Sequence, residues 1–209
     1  MSIHAPGEPH AGGGFNPPEP TTAGGPDYGR FIEEVRGLQD HARAADAPDE
    51  VITAAADLIA QVNLLLAPYD ADEWCSPSGR RMDLPNRGNI LGVPSELHVT
   101  EAGRIGGQAL FRRFHLGRNG AVHGGAVAHL FDSLLGFTAF RLSGRAAQRT
   151  AFLHVDYRKI VPIDTPVRVD AGIDSTEDRK VFVSGRVLDG DVVLAEAHAL
   201  FLKLKPGQP

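Results

Sequence analysis

Apolar and polar positions recur with two different periods along this chain, and the period changes near residue 95. Before that point the spacing is helical. Phe31, Val35, Leu38, Ala42 and Ala45 follow one another at steps of four and three, which puts them on one face of a helix over 28–46. Pro48-Asp49-Glu50 reads as a second helix start. Proline suits the first turn, and acids there face the positive end of the dipole. Val51, Ala55, Leu58, Val62 and Leu65 carry the stripe on to Ala67-Pro68. Two amphipathic helices with a short turn predict a helical hairpin over 28–67. It is too small to be stable alone, so it is expected to pack on the main domain or on a partner subunit.

From Ser95 the pattern turns to strands. Glu96–Glu101 alternates in part, and Arg104–Leu116 continues after a turn at Gly103. A polar, glycine-rich loop over Gly117–Gly125 follows. Ala126–Leu142 then returns to helical spacing through Val127, Leu130, Leu134, Phe137 and Phe140, and its near-continuous apolarity predicts a helix buried on most sides. Four strands are predicted after it, over Thr150–Val161, Pro166–Ser175, Lys180–Leu188 and Val192–Leu204, with short turns such as Asp189-Gly190 that indicate antiparallel hairpins. Two strands, a long helix and four strands are most economically satisfied by one antiparallel sheet wrapped around one central helix. Such a sheet covers only part of the helix, so a second subunit is expected to complete its burial.

Composition narrows the remaining choices. Residues 1–27 are rich in glycine and proline and offer little to bury, so they read as a disordered tail. Residues 68–94 are irregular and carry Trp74, Cys75 and Arg80-Arg81, which suits a connector lying over the core. The domains are therefore expected to be a tail (1–27), a helical extension (28–67), a connector (68–94) and an α+β domain (95–205). Net charge is −5 without a long basic run, which disfavours nucleic acid or an anionic membrane as main partner. No uninterrupted apolar run reaches the ~20 residues of a membrane span; the best, Val51–Leu66, is broken by Asp57, Gln61 and Asn63. One cysteine cannot form a disulfide within the chain, which fits a reducing compartment. With no secretory pattern at the N-terminus, the expectation is a soluble, cytoplasmic protein.

The richest chemistry lies in Asn119-Gly120-Ala121-Val122-His123-Gly124-Gly125-Ala126-Val127-Ala128-His129-Leu130-Phe131-Asp132. A glycine-rich loop opens into an apolar helix that holds one carboxylate. The first amides of a helix lack intrahelical partners, and with the dipole behind them they suit a developing oxyanion. Asp132 stands among Leu130, Phe131, Leu134 and Leu135, where a carboxylate is costly unless paired, hydrogen-bonded or lining a cavity. Gly124 and Asp132 are eight residues apart, about 12 Å of helix, so one helix cannot bring both to one reacting group. Two antiparallel copies about a two-fold axis can.

This segment resembles the hotdog acyl-CoA thioesterases, closest to the phenylacetate-pathway and 4-hydroxybenzoyl-CoA thioesterase branch. The likeness rests on His-Gly-Gly followed by a helix with an acid nine residues after the histidine, and extends to the strand Thr150–Lys159. It covers roughly 95–205. The resemblance implies a hotdog fold and hydrolysis of an acyl-CoA to free acid and CoA, at a site shared between the subunits of a homo-oligomer. The Gly124 amide would bind the thioester oxygen and Asp132 would act as general base or nucleophile. Asp is shorter than the Glu of some members, which favours activating a water. His123 and Asn119 match loop positions that orient substrate or shape the site, with Gly125 beside them. Thr150 matches a strand position near the reacting centre, and Arg158 and Lys159 are candidates for the CoA phosphates. No cofactor beyond the CoA of the substrate and no metal is called for.

Other readings attach to the same residues. A non-catalytic acyl-CoA-binding module could share the fold, although a pure binder needs no buried carboxylate. His123 could simply cap the loop, and Arg158-Lys159 could be an exposed strand end. His129, three residues before Asp132, could touch the carboxylate or only pack. His154, Asp156 and His198 lack metal-ligand spacing. Cys75 has no nearby histidine in sequence, and no Gly-x-Ser-x-Gly elbow or phosphate-binding loop occurs.

Overall fold

The structure, a computed structural model, describes residues 19–72, 75–144 and 147–205. Three α-helices and six strands follow in the order α1 (Tyr28–Ala44), α2 (Asp49–Leu66), β1 (Ser95–Val99), β2 (Ile105–Leu110), α3 (Gly124–Leu142), β3 (Gln148–Tyr157), β4 (Pro166–Glu177), β5 (Lys180–Asp189) and β6 (Val192–Lys203). All six strands form one antiparallel sheet ordered β1-β2-β4-β5-β6-β3. This is the expected α+β architecture. One difference lies after β2, where a 3₁₀ turn at Arg113–His115 replaces the continued strand. It carries the chain away from the sheet towards the loop before α3.

The sheet holds α3 against its concave face. Val167, Val169 and Ala171 of β4 are fully buried, as are Val181, Val183 and Val187 of β5. On β6 the inward positions Ala195, Ala197 and Ala199 are small, which lets the helix approach. At Gly185 the approach is so close that a Cβ would lie 2.9 Å from Leu135 Cδ2 and 3.0 Å from the Asp170 carbonyl oxygen.

Burial of α3 is one-sided. Val127, Leu130, Phe131, Leu134, Leu135, Thr138 and Ala139 face the sheet, whereas Gly125, Asp132, Ser133 and Arg141 are exposed. Six strands cover one face and leave the other open, which is the partial cover expected of one sheet. The open face runs beside β3, which is an edge strand.

The N-terminal helices fall where the periodicity puts them, but they do not form a packed hairpin. α1 buries Ile32 and Arg36, whose guanidinium donates to the Asn89 carbonyl at 2.9 Å. It is clamped to the 3₁₀ turn by Arg112, which pairs with Glu33 and Asp40, while Asp40 also accepts from the Phe114 amide at 2.8 Å. α2 buries nothing. Its stripe was expected on the main domain or a partner, and it touches no core here.

The expected tail also needs correction over its last residues. Residues 1–18 lie outside the described residues. Those from Glu19 to Gly25 are fastened to the connector. The Glu19 carbonyl accepts from Arg80 at 2.8 Å, and the Ala23 and Gly25 carbonyls accept from the buried Arg81. Arg81 also grips Asp83 through two hydrogen bonds and lies over the Tyr28 ring. The basic pair noted in the sequence is thus a structural clasp for the entry to α1.

Arg112 joins α1 to the turn through charge-assisted bonds to two half-buried or exposed acids. Arg112→Met is expected to lower stability by about 2–3 kcal/mol and to open 30–48 to limited proteolysis before the sheet melts. Unchanged cleavage would mean that Arg36, Ile32 and Arg43 hold α1 without it.

Candidate active site

The loop before α3 is a small hairpin. Leu116 and Val122 pair across it, and Gly117 N–H donates to the Ala121 carbonyl at 2.8 Å. Asn119 and Gly120 occupy its tip with φ of 54° and 75°. Positive φ at both positions is the signature of the tight turn that Asn-Gly favours. Asn119 is exposed there and has no side-chain hydrogen bond among the described residues. Its evident work in one chain is to shape the loop.

That loop sets the start of α3, and a full account of the first amides can be given. His123 N–H donates to the His115 carbonyl at 2.8 Å. The Gly125 N–H donates to His123 Nδ1 at 3.0 Å, so His123 is the N-cap and carries its proton on Nε2. Ala126 and Val127 donate to the His123 carbonyl. Gly124 N–H alone has no partner among the described residues. The helix start therefore presents one free donor, and it belongs to the glycine that the motif singles out. The amide of Gly125 is spent on the cap. Behind the loop, burial holds the His115 imidazole below its ordinary range, and its Nδ1 accepts from the Arg112 N–H at 2.9 Å.

Gly124 opens on a cavity of about 410 Å³ lined by Ala121, Val122, Gly124, Val127, Tyr157, Arg158, Lys159, Ile160 and Val161. Arg158 is bound to Glu196 at 2.7 Å and Asp156 at 3.3 Å, so its charge is compensated. Lys159 is exposed and makes no ion pair among the described residues. The fold thus brings Gly124, Arg158 and Lys159 together.

Asp132 is elsewhere, two turns along α3 on its open face. Its carboxylate accepts from Thr150 Oγ1 at 2.9 Å. His129 makes no hydrogen bond to it; the buried His129 Nε2 has no partner among the described residues. The Thr150 contact depends on an irregularity in β3. Thr150 pairs with Phe201 and Phe152 with Leu200, so Ala151 is an extra residue. A bulge of this kind reverses the parity of the strand. Before it Thr150 faces α3 together with the buried Phe201; after it Leu153, Val155 and Tyr157 do, opposite the buried Ala199, Ala197 and Ala195. Without the bulge, Thr150 and Tyr157 would point to opposite faces.

Tyr157 is the residue that sequence reasoning missed. Its hydroxyl donates to the Gly124 carbonyl at 2.9 Å, and its ring stands 3.5 Å from where a Cβ on Gly124 would be. The only available signal was its place one residue before Arg158-Lys159 in a strand of uncertain facing. Cys75 is exposed. Among the described residues no three His, Cys, Asp or Glu side chains could hold a metal ion.

Known proteins share part of this sequence and most of this fold. Residues 119–196, from the turn tip to β6, match the Thioesterase superfamily model. Acyl-coenzyme A thioesterase THEM4 of Rattus norvegicus is 38% identical over 95 residues, 44% of this chain and 40% of that protein. Acyl-coenzyme A thioesterase THEM5 of Homo sapiens is 32% identical over 91 residues, 43% of this chain and 36% of that protein. The chain thus spans about two fifths of the length of these curated relatives. A solved thioesterase superfamily protein superposes with a TM-score of 0.72 at 23% identity, over 88% of this chain and 97% of its own. That breadth exceeds the sheet and α3, so the helical extension belongs to the shared fold. The fold is the hotdog fold, and the match to the family model is confined to 119–196.

Tyr157→Phe keeps the ring and removes the donor to Gly124. The amides of 121–127 are expected to exchange with solvent roughly three- to tenfold faster, the span of one net hydrogen bond. Exchange equal to wild type would mean that the loop holds its shape without this bond.

Proposed function

We propose that the chain is an acyl-CoA thioesterase, cleaving an acyl-CoA to free acid and CoA. The single observation that carries this reading is the Gly124 N–H at the start of α3, on a residue that lines a cavity and without a partner among the described residues, where the other first amides are occupied. The matches to acyl-coenzyme A thioesterases support it.

In the proposed reaction the thioester carbonyl oxygen accepts from the Gly124 N–H. A donor fixed in advance there stabilises the charge that develops on oxygen, without reorganisation at the moment of reaction. Asp132 takes a proton from water as the water oxygen bonds to the carbonyl carbon. When the tetrahedral intermediate collapses, the C–S bond breaks and the proton passes to the leaving CoA sulfur. Thr150, by donating to Asp132, keeps one carboxylate oxygen oriented and leaves the other for the water. Lys159, beside the cavity, suits a CoA phosphate; Arg158, held by Glu196 and Asp156, shapes that rim. His123 fixes the loop by capping α3.

The ~12 Å between Gly124 and Asp132 along the helix requires that the two come from different subunits. The open face of α3 and the unpaired edge of β3 suit such a pairing. A homo-oligomer with each site shared between two chains is therefore part of the proposal.

The test is release of free thiol by the purified chain from a panel of short, long and aromatic CoA thioesters. Turnover is expected with at least one class. Asp132→Asn, nearly isosteric at an exposed position, is expected to reduce it by roughly 10²–10⁴-fold, the usual contribution of a general base, with fold and mass unchanged. Tight binding of acyl-CoA without thiol release from any substrate would instead favour a non-catalytic binding module.

A further inference from the structure

α2 has 18 residues, none of them buried. Ile52, Leu58, Val62, Leu64, Leu65 and Tyr69 are exposed between 48% and 79%. In proteins most of a helix's stability comes from packing its apolar face, and an exposed apolar surface of this extent marks an interaction site. By length and composition Asp49–Tyr69 could cross a membrane. Its charges argue against a lipid partner. The stretch 44–79 carries seven acidic side chains and no lysine, arginine or histidine. Membrane-surface helices use cations to meet anionic headgroups, and a span would bury Asp57, Gln61 and Asn63 in hydrocarbon.

The root of α2 points to a different occupant. Arg43, at the end of α1, donates to the carbonyls of Leu116 and Gly117. The arm therefore leaves the body beside the loop that leads to Gly124. In the antiparallel pair proposed above, that place faces the second copy's Asp132 and the part of α3 beyond it. The second copy's Arg141 lies nine residues, about 14 Å, further along, and α2 is about 27 Å long. Arg141 and Arg149, both exposed, flank the turn that follows α3. An acid-flanked apolar arm thus starts next to a region of a second copy whose rim is basic.

We infer that α2 is an arm that packs on a second copy of this chain, across the two-fold that completes the site. The inference takes its partner from the shared-site reading, but its test uses no turnover. Hydrogen exchange of the full chain is followed by mass spectrometry above and below the concentration at which light scattering shows the dimer dissociating. Neutral phosphatidylcholine and anionic phosphatidylglycerol vesicles are added in separate arms. Peptides from 49–69 are expected to exchange at least about tenfold more slowly in the dimer than in the monomer, with no added protection from either vesicle. Leu58→Glu with Leu65→Glu, at positions that pack on nothing in the single chain, is expected to raise the dissociation midpoint at least about tenfold. Exchange of 49–69 that ignores concentration, protection only by vesicles, or an unchanged midpoint in the double variant would overturn the inference. A chain that dimerises through α2 yet releases no thiol would keep the inference and remove the proposed hydrolysis.

Discussion

A straight helix holds its first free amide and a carboxylate eight residues later about 12 Å apart, and the structure is organised around that spacing. α3 carries one acid, Asp132, and one unpartnered N-terminal amide, that of Gly124. The two ends of a would-be site are both present and cannot meet. Everything else positions one end or the other. The Asn119-Gly120 turn, the His123 cap and Tyr157 define the amide end. Thr150 defines the carboxylate end. The open face of α3 lies between them.

β3 has to serve both ends, and its bulge makes this possible. An uninterrupted strand presents residues of one parity to the helix. Thr150 and Tyr157 differ in parity, so only a strand with one extra residue between them can aim both at α3. The insertion at Ala151 has that consequence. It also falls on an edge strand, where a bulge disturbs only the single ladder to β6. The N-terminal extension contributes from the other side. Arg112 and Arg43 fasten α1 to the 3₁₀ turn and to the loop before α3. The shape of that loop thus depends on a helix some seventy residues earlier in the chain.

Much of this was legible in the sequence, and the parts that were not share a physical cause. The alternation of Val167, Val169 and Ala171 and the helical spacing from Val127 onward are local, so element order and, β2 apart, strand ends came through within a few residues. The His-Gly-Gly loop and its spaced acid were legible because one helix start and its next two turns form a single run of sequence. Tyr157 was not, because its facing depends on a bulge that leaves no mark in composition. The docking of Glu19 to Gly25 was missed for a related reason: Arg81 holds backbone carbonyls there, and carbonyls are the same in every sequence. The exposure of α2 was hidden too, since an apolar stripe states that something covers it but not which chain does.

The most direct test of the shared site mixes two defective subunits. Asp132→Asn removes the carboxylate, and Gly124→Val places bulk over the free amide and in its cavity. Each variant alone is expected to be inactive. Refolded together at equal ratio, half of the dimers are heterodimers, and a shared site gives each of them one site with both defects and one with neither. Hydrolysis should then return to about one quarter of wild type. If each site used its own chain's pair, every site would carry a defect, and a mixture as inactive as its components would contradict the account.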